Sequence, residues 1–290
     1  MTGSPEDGAR PAEAGRAPSG TGQGTLTSDG PLLQLRGIGK NFGPVQALSG
    51  VDLDIPAGQV TALVGDNGAG KSTLIKTISG IWEPSHGQLV WQGRPVHFRN
   101  PRDAADAGIA TVYQDLALCD NLDIVENMLL GHEVRRRGLL DEINMETTAR
   151  RTLKELRVTT VRNIRQTVGS LSGGQRQAVA VAKAVMLDAR LVIMDEPTAA
   201  LGVSQTALVL DLIGRLAGRG IAVLVVSHNL TDVFQVADRI VVLYLGQLVA
   251  SGPASNYDTA SAVDLMTTGA SQRIGGSGAG KSPIDDGPEG

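Results

Sequence analysis

Apolar residues in the middle of the chain form short continuous runs, each followed by a stretch of helical periodicity. The runs occupy Val60–Val64, 191–194 and 221–226, which is the length of strands buried on both faces. The stretch after the first run carries Leu74, Ile75 and Ile78, and the stretch after the second carries Leu208, Leu212 and Leu216. This alternation predicts an α/β fold around a mostly parallel sheet.

Shorter apolar segments indicate a second, smaller sheet. They lie at 32–35, 51–55, 88–91 and 96–98 and are separated by turns rich in Gly and Pro. We interpret them as a small antiparallel subdomain.

Residues 103–165 have a mostly helical pattern and form a predicted helical subdomain. Between residues 133 and 165 this segment contains nine Lys or Arg and five Asp or Glu. This excess of cations is typical of a solvated helical face.

The two ends of the sequence differ from the middle in composition. Residues 1–30 contain seven Gly and three Pro, and residues 268–290 are similarly poor in large apolar side chains. Such segments cannot bury enough apolar surface to offset the entropy of ordering, so both are predicted to be disordered tails. The predicted folded unit spans residues 31–267.

Charge and composition narrow the classes of function. The 290 residues carry a net charge of −4 and only eight aromatic side chains, so neither a basic surface nor base stacking favours a nucleic-acid partner. No stretch reaches the roughly 18 apolar residues of a membrane span, and residues 1–30 lack the apolar core of a signal peptide. A single cysteine, Cys119, fits a reducing, cytoplasmic setting.

A phosphate-binding loop follows the first apolar run. Its sequence is Gly65-Asp66-Asn67-Gly68-Ala69-Gly70-Lys71-Ser72, which matches G-x-x-x-x-G-K-[ST] between a strand and a helix predicted to open at Ser72. Backbone N–H groups of such a loop bind phosphate oxygens, the lysine neutralises the β- and γ-phosphates, and the serine binds Mg²⁺. Thr73, the next residue, is counted with this nucleotide site.

The same spacing recurs at residues 275–282 without a preceding strand. A proline follows it at position 283, and the surrounding residues are mainly Gly and Ser. We therefore assign this second match to the C-terminal tail and expect no nucleotide to bind there.

The phosphate loop alone indicates nucleotide binding, which kinases, GTPases and ATPases share. Two acids at the end of the second apolar run add a second element to the site. Asp195 is placed to hold Mg²⁺, and Glu196 to orient or deprotonate an attacking water. This pair disfavours a protein that binds nucleotide without turnover.

A third motif, Leu171-Ser172-Gly173-Gly174-Gln175, lies one hundred residues after Lys71. With the other two motifs, in this order over residues 32–250, the sequence resembles the ATP-binding subunits of ABC transporters. The resemblance implies a P-loop NTPase core of the ABC type, with ATP and Mg²⁺ as ligands. It also implies that the Ser172–Gln175 signature of one subunit closes over ATP held by its partner, and so a homodimer. Apart from the resemblance, Ser172 before two glycines, with a helix predicted from about Gln175, fits an N-terminal anion site; a plain helix start is the alternative.

Three further residues match the family's motifs. By this resemblance, Gln114 senses Mg²⁺ and the attacking water, His228 touches the γ-phosphate, and Phe42 stacks on adenine. One position departs from the family pattern, because Gly202 stands where many members carry an aspartate. The role of that carboxylate is therefore not transferred to this chain.

Residues 195–203, together with Asp66 and Asn67, are similar to the ATPases of ribose-, xylose- and fructose-type importers. This implies an ATP-hydrolysing subunit at the cytoplasmic face of the membrane, which energises carbohydrate uptake through separate permease chains and an extracytoplasmic sugar-binding protein. Permease contact is expected around residues 115–165. One alternative is a transporter of another cargo, including an exporter. Another is a soluble ABC ATPase of translation or DNA repair, but the spacing leaves no room for a long coiled coil and only one cassette is evident.

Overall fold

A computed structural model describes residues 30–270 of the chain. Both predicted tails lie almost entirely outside the described residues, as does the second loop-like match at 275–282. The last helix extends to Thr268 and is capped by Gly269, so the ordered chain passes the predicted boundary at 267.

The central sheet has six strands in the order β12-β11-β3-β10-β9-β6, and all neighbours are parallel except β11 and β12. Its members are β3 (Val60–Val64), β6 (Ile109–Val112), β9 (Leu191–Asp195), β10 (Ala222–Val226), β11 (Arg239–Tyr244) and β12 (Gln247–Pro253). Both β3 and β10 are buried along their whole length. The parallel α/β core is thus confirmed, whereas the pair β11–β12 was not predicted.

A second, four-stranded antiparallel sheet packs beside the first. It contains β1 (Leu33–Phe42), β2 (Val45–Ile55), β4 (His86–Trp91) and β5 (Arg94–Val96) in the order β2-β1-β4-β5. The predicted segments mark these strands but were too short for β1 and β2. Phe98, assigned to the last strand, is buried just beyond β5.

Helices cover the central sheet and form the remaining lobe. They are α1 (Lys71–Ile78), α2 (Pro101–Asp106), α3 (Ile124–Leu129), α4 (Glu142–Glu155), α5 (Gly173–Met186), α6 (Val203–Gly218), α7 (Leu230–Val236) and α8 (Thr259–Thr268). One apolar cluster joins α3, α4, α5 and α6 to the sheet, and another joins α1 to the antiparallel sheet. Within residues 30–270, no helix is both long and apolar enough to cross a membrane.

The segment 103–165 is less helical than its pattern predicted. Strand β6 inside it belongs to the central sheet, and a hairpin of β7 (Arg135–Arg136) and β8 (Leu139–Leu140) precedes α4. Only α3 and α4 lie wholly within the later part of the segment. Strand β6 is only four residues long, which is too short for periodicity to separate a strand from a helix.

Candidate active site

The phosphate loop connects the end of β3 to the start of α1. The helix begins at Lys71, one residue before the predicted start, and Gly70 occupies its N-cap in the left-handed conformation, φ 103°. No side chain caps this helix start. The first N–H groups of α1 are therefore available to an anion, as phosphate binding requires.

The loop approaches other backbone so closely that two of its glycines leave no room for a side chain. A Cβ on Gly65 would lie 2.4 Å from the Leu243 carbonyl oxygen, and one on Gly70 would lie 2.9 Å from the Ala47 carbonyl oxygen. Strands β11 and β2 thus hold the loop from behind. The loop backbone therefore has its conformation set by packing within the chain.

Replacing Gly65 by Ala is expected to lower the free energy of unfolding by about 1–3 kcal/mol, since the clash is with backbone rather than with a flexible side chain. Gly214→Ala is the matched control, because nothing lies within 4 Å of its added Cβ inside α6. It should stabilise the chain by about 0.5–1 kcal/mol. Urea titrations of both variants test this, and equal changes would contradict the packing argument.

Lys71 is buried against its own loop. Its Nζ donates to the carbonyl oxygens of Gly65, at 2.8 Å, and of Asp66, at 3.0 Å. Burial lowers the pKa of Lys71, and the charges of Glu196, Asp66 and Asp195 oppose that shift. Two carbonyl oxygens of the loop therefore hold the ammonium group in one position.

The two acids at the end of β9 lie in different surroundings. Burial, and next the charge of Glu196, raise the pKa of Asp195, while Lys71 acts in the opposite direction. The Glu196 backbone takes a positive φ of 49°, and its Oε1 lies 2.8 Å from Nδ1 of His228. Ser227 Oγ donates weakly to the other oxygen, Oε2, at 3.5 Å. The structure thus brings Lys71, Asp195, Glu196 and His228 to one edge of the sheet.

An open cleft of about 420 Å³ lies beside the phosphate loop. Its lining includes Asn67, Gly68, Gly70, Lys71, Ser72 and Thr73, all predicted. Sequence reasoning missed the other five lining residues, which are Val45, Gln46, Ala47, Leu245 and Gly246. They come from β2 and the β11–β12 turn. The only available signal was Leu245-Gly246 between two apolar runs, which is typical of a hairpin.

Gln114 and Phe42 lie near this region without lining the cleft. Gln114 is exposed, two residues beyond β6, at the same sheet edge as Asp195 because β6 and β9 are parallel neighbours. Phe42 is half-exposed and stacks edge-on against Trp82, with ring centroids 4.7 Å apart. Their predicted contacts with nucleotide stay predictions.

The Ser172–Gln175 motif lies elsewhere, at the start of α5. Ser172 is the N-cap, and it forms a capping box with Gln175, whose N–H donates to Ser172 Oγ at 3.3 Å. The helix begins at Gly173, two residues before the predicted start. A Cβ on Gly173 would meet Leu201 Cδ2 at 2.8 Å, so the signature packs on the segment that follows β9. None of these signature residues lines the cleft beside the phosphate loop.

The donor set fits Mg²⁺ held jointly by protein and nucleotide. Ser72 and Asp195 offer hard oxygen atoms, and the raised pKa of Asp195 marks a carboxyl group that a cation would help to ionise. Among residues 30–270 there is no cluster of three or more His, Cys, Asp or Glu that would enclose a metal. Mg²⁺ binds in this open manner when substrate phosphates complete its shell.

The sequence model of the family described as "ABC transporter" matches residues 48–199, slightly more than half of the chain. The chain belongs to the ABC transporter family. The prediction of an ABC-type ATPase that uses ATP and Mg²⁺ is thereby confirmed at the level of the family. The resemblance seen in the sequence was correct.

Curated relatives of this ABC ATPase are import proteins. It is 47% identical over 244 residues to the fructose import ATP-binding protein FrcA of Rhizobium meliloti, covering 82% of this chain and 94% of that one. It is 44% identical to the xylose/arabinose import ATP-binding protein XylG of Sulfolobus acidocaldarius, with the same coverage. A ribose import ATP-binding protein RbsA 2 of Escherichia coli O157:H7 is 38% identical, but this ABC ATPase covers only 46% of it.

Solved structures agree with the fold of the ABC ATPase. The ADP conformation of MJ1267, an ATP-binding cassette of an ABC transporter, superposes with a TM-score of 0.70 at 26% identity, covering 82% of this chain and 95% of that one. A nucleotide-free cassette superposes with a TM-score of 0.66 at 27% identity, covering 77% and 91%. The predicted P-loop NTPase architecture is confirmed.

Proposed function

We propose that this ABC ATPase hydrolyses ATP to drive carbohydrate import through separate permease chains at the cytoplasmic face of the membrane. The observation that carries the proposal is the match, over 94% of their length, to import ATP-binding proteins named for fructose and for xylose and arabinose. An extracytoplasmic sugar-binding protein would deliver the sugar to such a permease.

The site chemistry supports hydrolysis by positioning and electrostatics. Lys71 and the N–H groups of the loop would bind the phosphates. Glu196 would accept a hydrogen bond from the attacking water and then its proton, with His228 fixing the carboxylate through the 2.8 Å contact to Oε1. Ser72, Asp195 and Gln114 would hold Mg²⁺. When bound, the ion would neutralise charge that develops on the phosphate oxygens.

The same geometry favours a homodimer. Ser172 is exposed, and the signature residues are absent from the lining of the cleft beside the phosphate loop. A second copy could place its own signature against that cleft, and two-fold symmetry would then create two equivalent sites. The ribose relative has about twice the length that this chain matches, which is consistent with two cassettes working together.

Affinity capture of the tagged chain from detergent-solubilised host membranes tests the transport role. Mass spectrometry is expected to identify a polytopic membrane protein that is absent from a capture with untagged chain. Deleting the gene should abolish uptake of one sugar, and the wild-type chain should restore uptake while a Glu196→Gln chain should not. Uptake of an unrelated amino acid serves as the control. Capture of ribosomes or DNA-repair proteins without a membrane protein would refute the proposal.

A further inference from the structure

A groove of about 520 Å³ lies on the helical lobe, away from the cleft beside the phosphate loop. It is formed by the last turns of α4 and by the segment 157–164 that leads toward the signature. Leu153 and Ile164 are buried at its base, and Val158 and Val161 are partly buried beside them. This volume is within the range of about 300–1,000 Å³ that small-molecule sites occupy.

Cations without acidic partners surround the apolar base. Arg150 is paired with Glu146 at 2.7 Å, but the charged groups of Lys154, Arg157 and Arg162 form neither an ion pair nor a hydrogen bond with any residue in the described part of the chain. No Asp or Glu from residues 30–270 lines the groove. Lys154 lies in the last turn of α4, so the negative end of the helix dipole stabilises its positive charge. The helix dipole does not explain why two further positive charges, Arg157 and Arg162, lie beside the same groove.

Arg157 occupies a backbone position that favours glycine. Helix α4 ends in a Schellman motif, in which Val158 N donates to Leu153 O and Arg157 N donates to Lys154 O, both at 2.9 Å. This motif needs a left-handed residue, and Arg157 has a φ of 52°. Retaining a large side chain there costs free energy, and such strained residues are concentrated at functional sites. The arginine side chain is therefore the feature to explain.

The segment behind the groove is tied to the signature. Gln175 Nε2 donates to the Thr160 carbonyl oxygen at 2.7 Å, and Gln175 Oε1 accepts from Ser172 N at 2.9 Å. A displacement of residues 157–162 would thus reach Ser172 through one side chain.

We propose that this groove binds an amphiphilic anion, with a phosphate or carboxylate head and an alkyl or aryl body. Arg157 and Arg162 would bind the head, since guanidinium groups match the geometry of both anions. The apolar side chains at the base would cover the body. Occupancy would alter the ATPase rate through Thr160 and Gln175. This last step rests on the proposed role of Ser172, whereas binding does not.

Calorimetric titration of the full chain with monomeric octyl phosphate, in the absence of nucleotide, tests the site. We expect saturable one-to-one binding, while neutral octyl glucoside and inorganic phosphate alone bind at least tenfold more weakly. Arg157→Gly should weaken octyl phosphate binding about tenfold or more, because one charge-assisted contact is lost. Its melting temperature should stay the same or rise, by up to about 4 °C, because strain is removed.

Arg137→Gly is the matched control. Arg137 also has a positive φ, 53°, but lies in the β7–β8 turn outside the groove. It should show the same thermal behaviour with unchanged binding. Equal loss of binding in both variants, or no saturable binding to wild type, would overturn the site. Binding that leaves the ATPase rate of the wild type unchanged would overturn the link to Ser172.

The source of the anion is distinguished by a sedimentation assay. Vesicles of phosphatidylglycerol and phosphatidylcholine are compared with vesicles of phosphatidylcholine alone. Sedimentation with the anionic vesicles that Arg157→Gly abolishes would identify a lipid headgroup as the ligand. If wild type sediments with neither, the ligand is a free amphiphile.

Discussion

Replacing Glu196 by Gln is expected to reduce ATP turnover about 10²–10⁴-fold while the affinity for ATP changes little. The amide has the shape of the carboxylate but cannot accept a proton from water. The positive backbone φ of Glu196 and the hydrogen bond from its N–H to Val226 O, at 2.8 Å, do not depend on the side chain. Because the site geometry is retained, the loss should appear in the chemical step alone.

Steady-state phosphate release and equilibrium binding of a fluorescent ATP analogue measure the two effects separately. Glu142→Gln, on an exposed carboxylate of α4, is the control and should retain both values. Normal turnover in the Glu196→Gln chain would remove Glu196 from the role of base. A parallel loss of binding would instead mean that the carboxylate supports the fold of the loop.

The sequence predicted the parts of this site that depend on local chain chemistry. A strand, a glycine loop and a helix start adjoin one another in the chain, so Gly65, Gly70 and Lys71 were found from spacing alone. Asp195 and Glu196 were found in the same way, as acids that terminate an apolar strand. The phosphate loop and the two acids lie at the same edge of the sheet because β3, β10 and β9 are parallel neighbours.

Contacts between segments distant in the chain could not be predicted. The β11–β12 turn reaches the phosphate loop, where Gly246 N donates to Ala69 O and Ser49 N donates to Gly246 O, both at 2.9 Å. Neither contact has a local pattern, because each depends on how the two sheets pack. Strand β6, inside the predicted helical subdomain, was missed for the same reason. Its pairing with β9, a segment distant in the chain, sets its conformation, and local propensity does not.

Gly202 stands where many family members carry an aspartate. It is the N-cap of α6, with φ −73° and ψ 161°, and no side chain caps the helix. An added Cβ would have open space around it, so no packing demand explains the glycine. Nothing in the described residues explains why a glycine, rather than an aspartate, stands at this position.

Replacing Lys71 by Ala is expected to weaken ATP binding about 10–150-fold, which corresponds to the roughly 1.5–3 kcal/mol of a hydrogen bond to a charged group. The Nζ atom is held in advance by two loop carbonyl oxygens, so little ordering remains to be lost when phosphate binds. Without this cation, the pKa of Asp195 should rise further, because Lys71 now lowers it. Protonation would then compete with Mg²⁺ at a higher pH than in wild type.

Equilibrium titration with ATP and Mg²⁺ across pH 5–8 measures both consequences. Lys76→Ala is the matched control, because Lys76 lies on the same helix but its Nζ is directed to the Trp82 ring, 4.7 Å from the centroid. It should bind ATP nearly as wild type does. The acid limb of the Mg²⁺-dependent binding curve should move to higher pH in Lys71→Ala, and by less in Lys76→Ala, because the charge of Lys76 also lowers the pKa of Asp195 but less than that of Lys71 does. If affinity falls without this movement, Lys71 acts on phosphate only, and the electrostatic coupling between the loop and Asp195 is refuted.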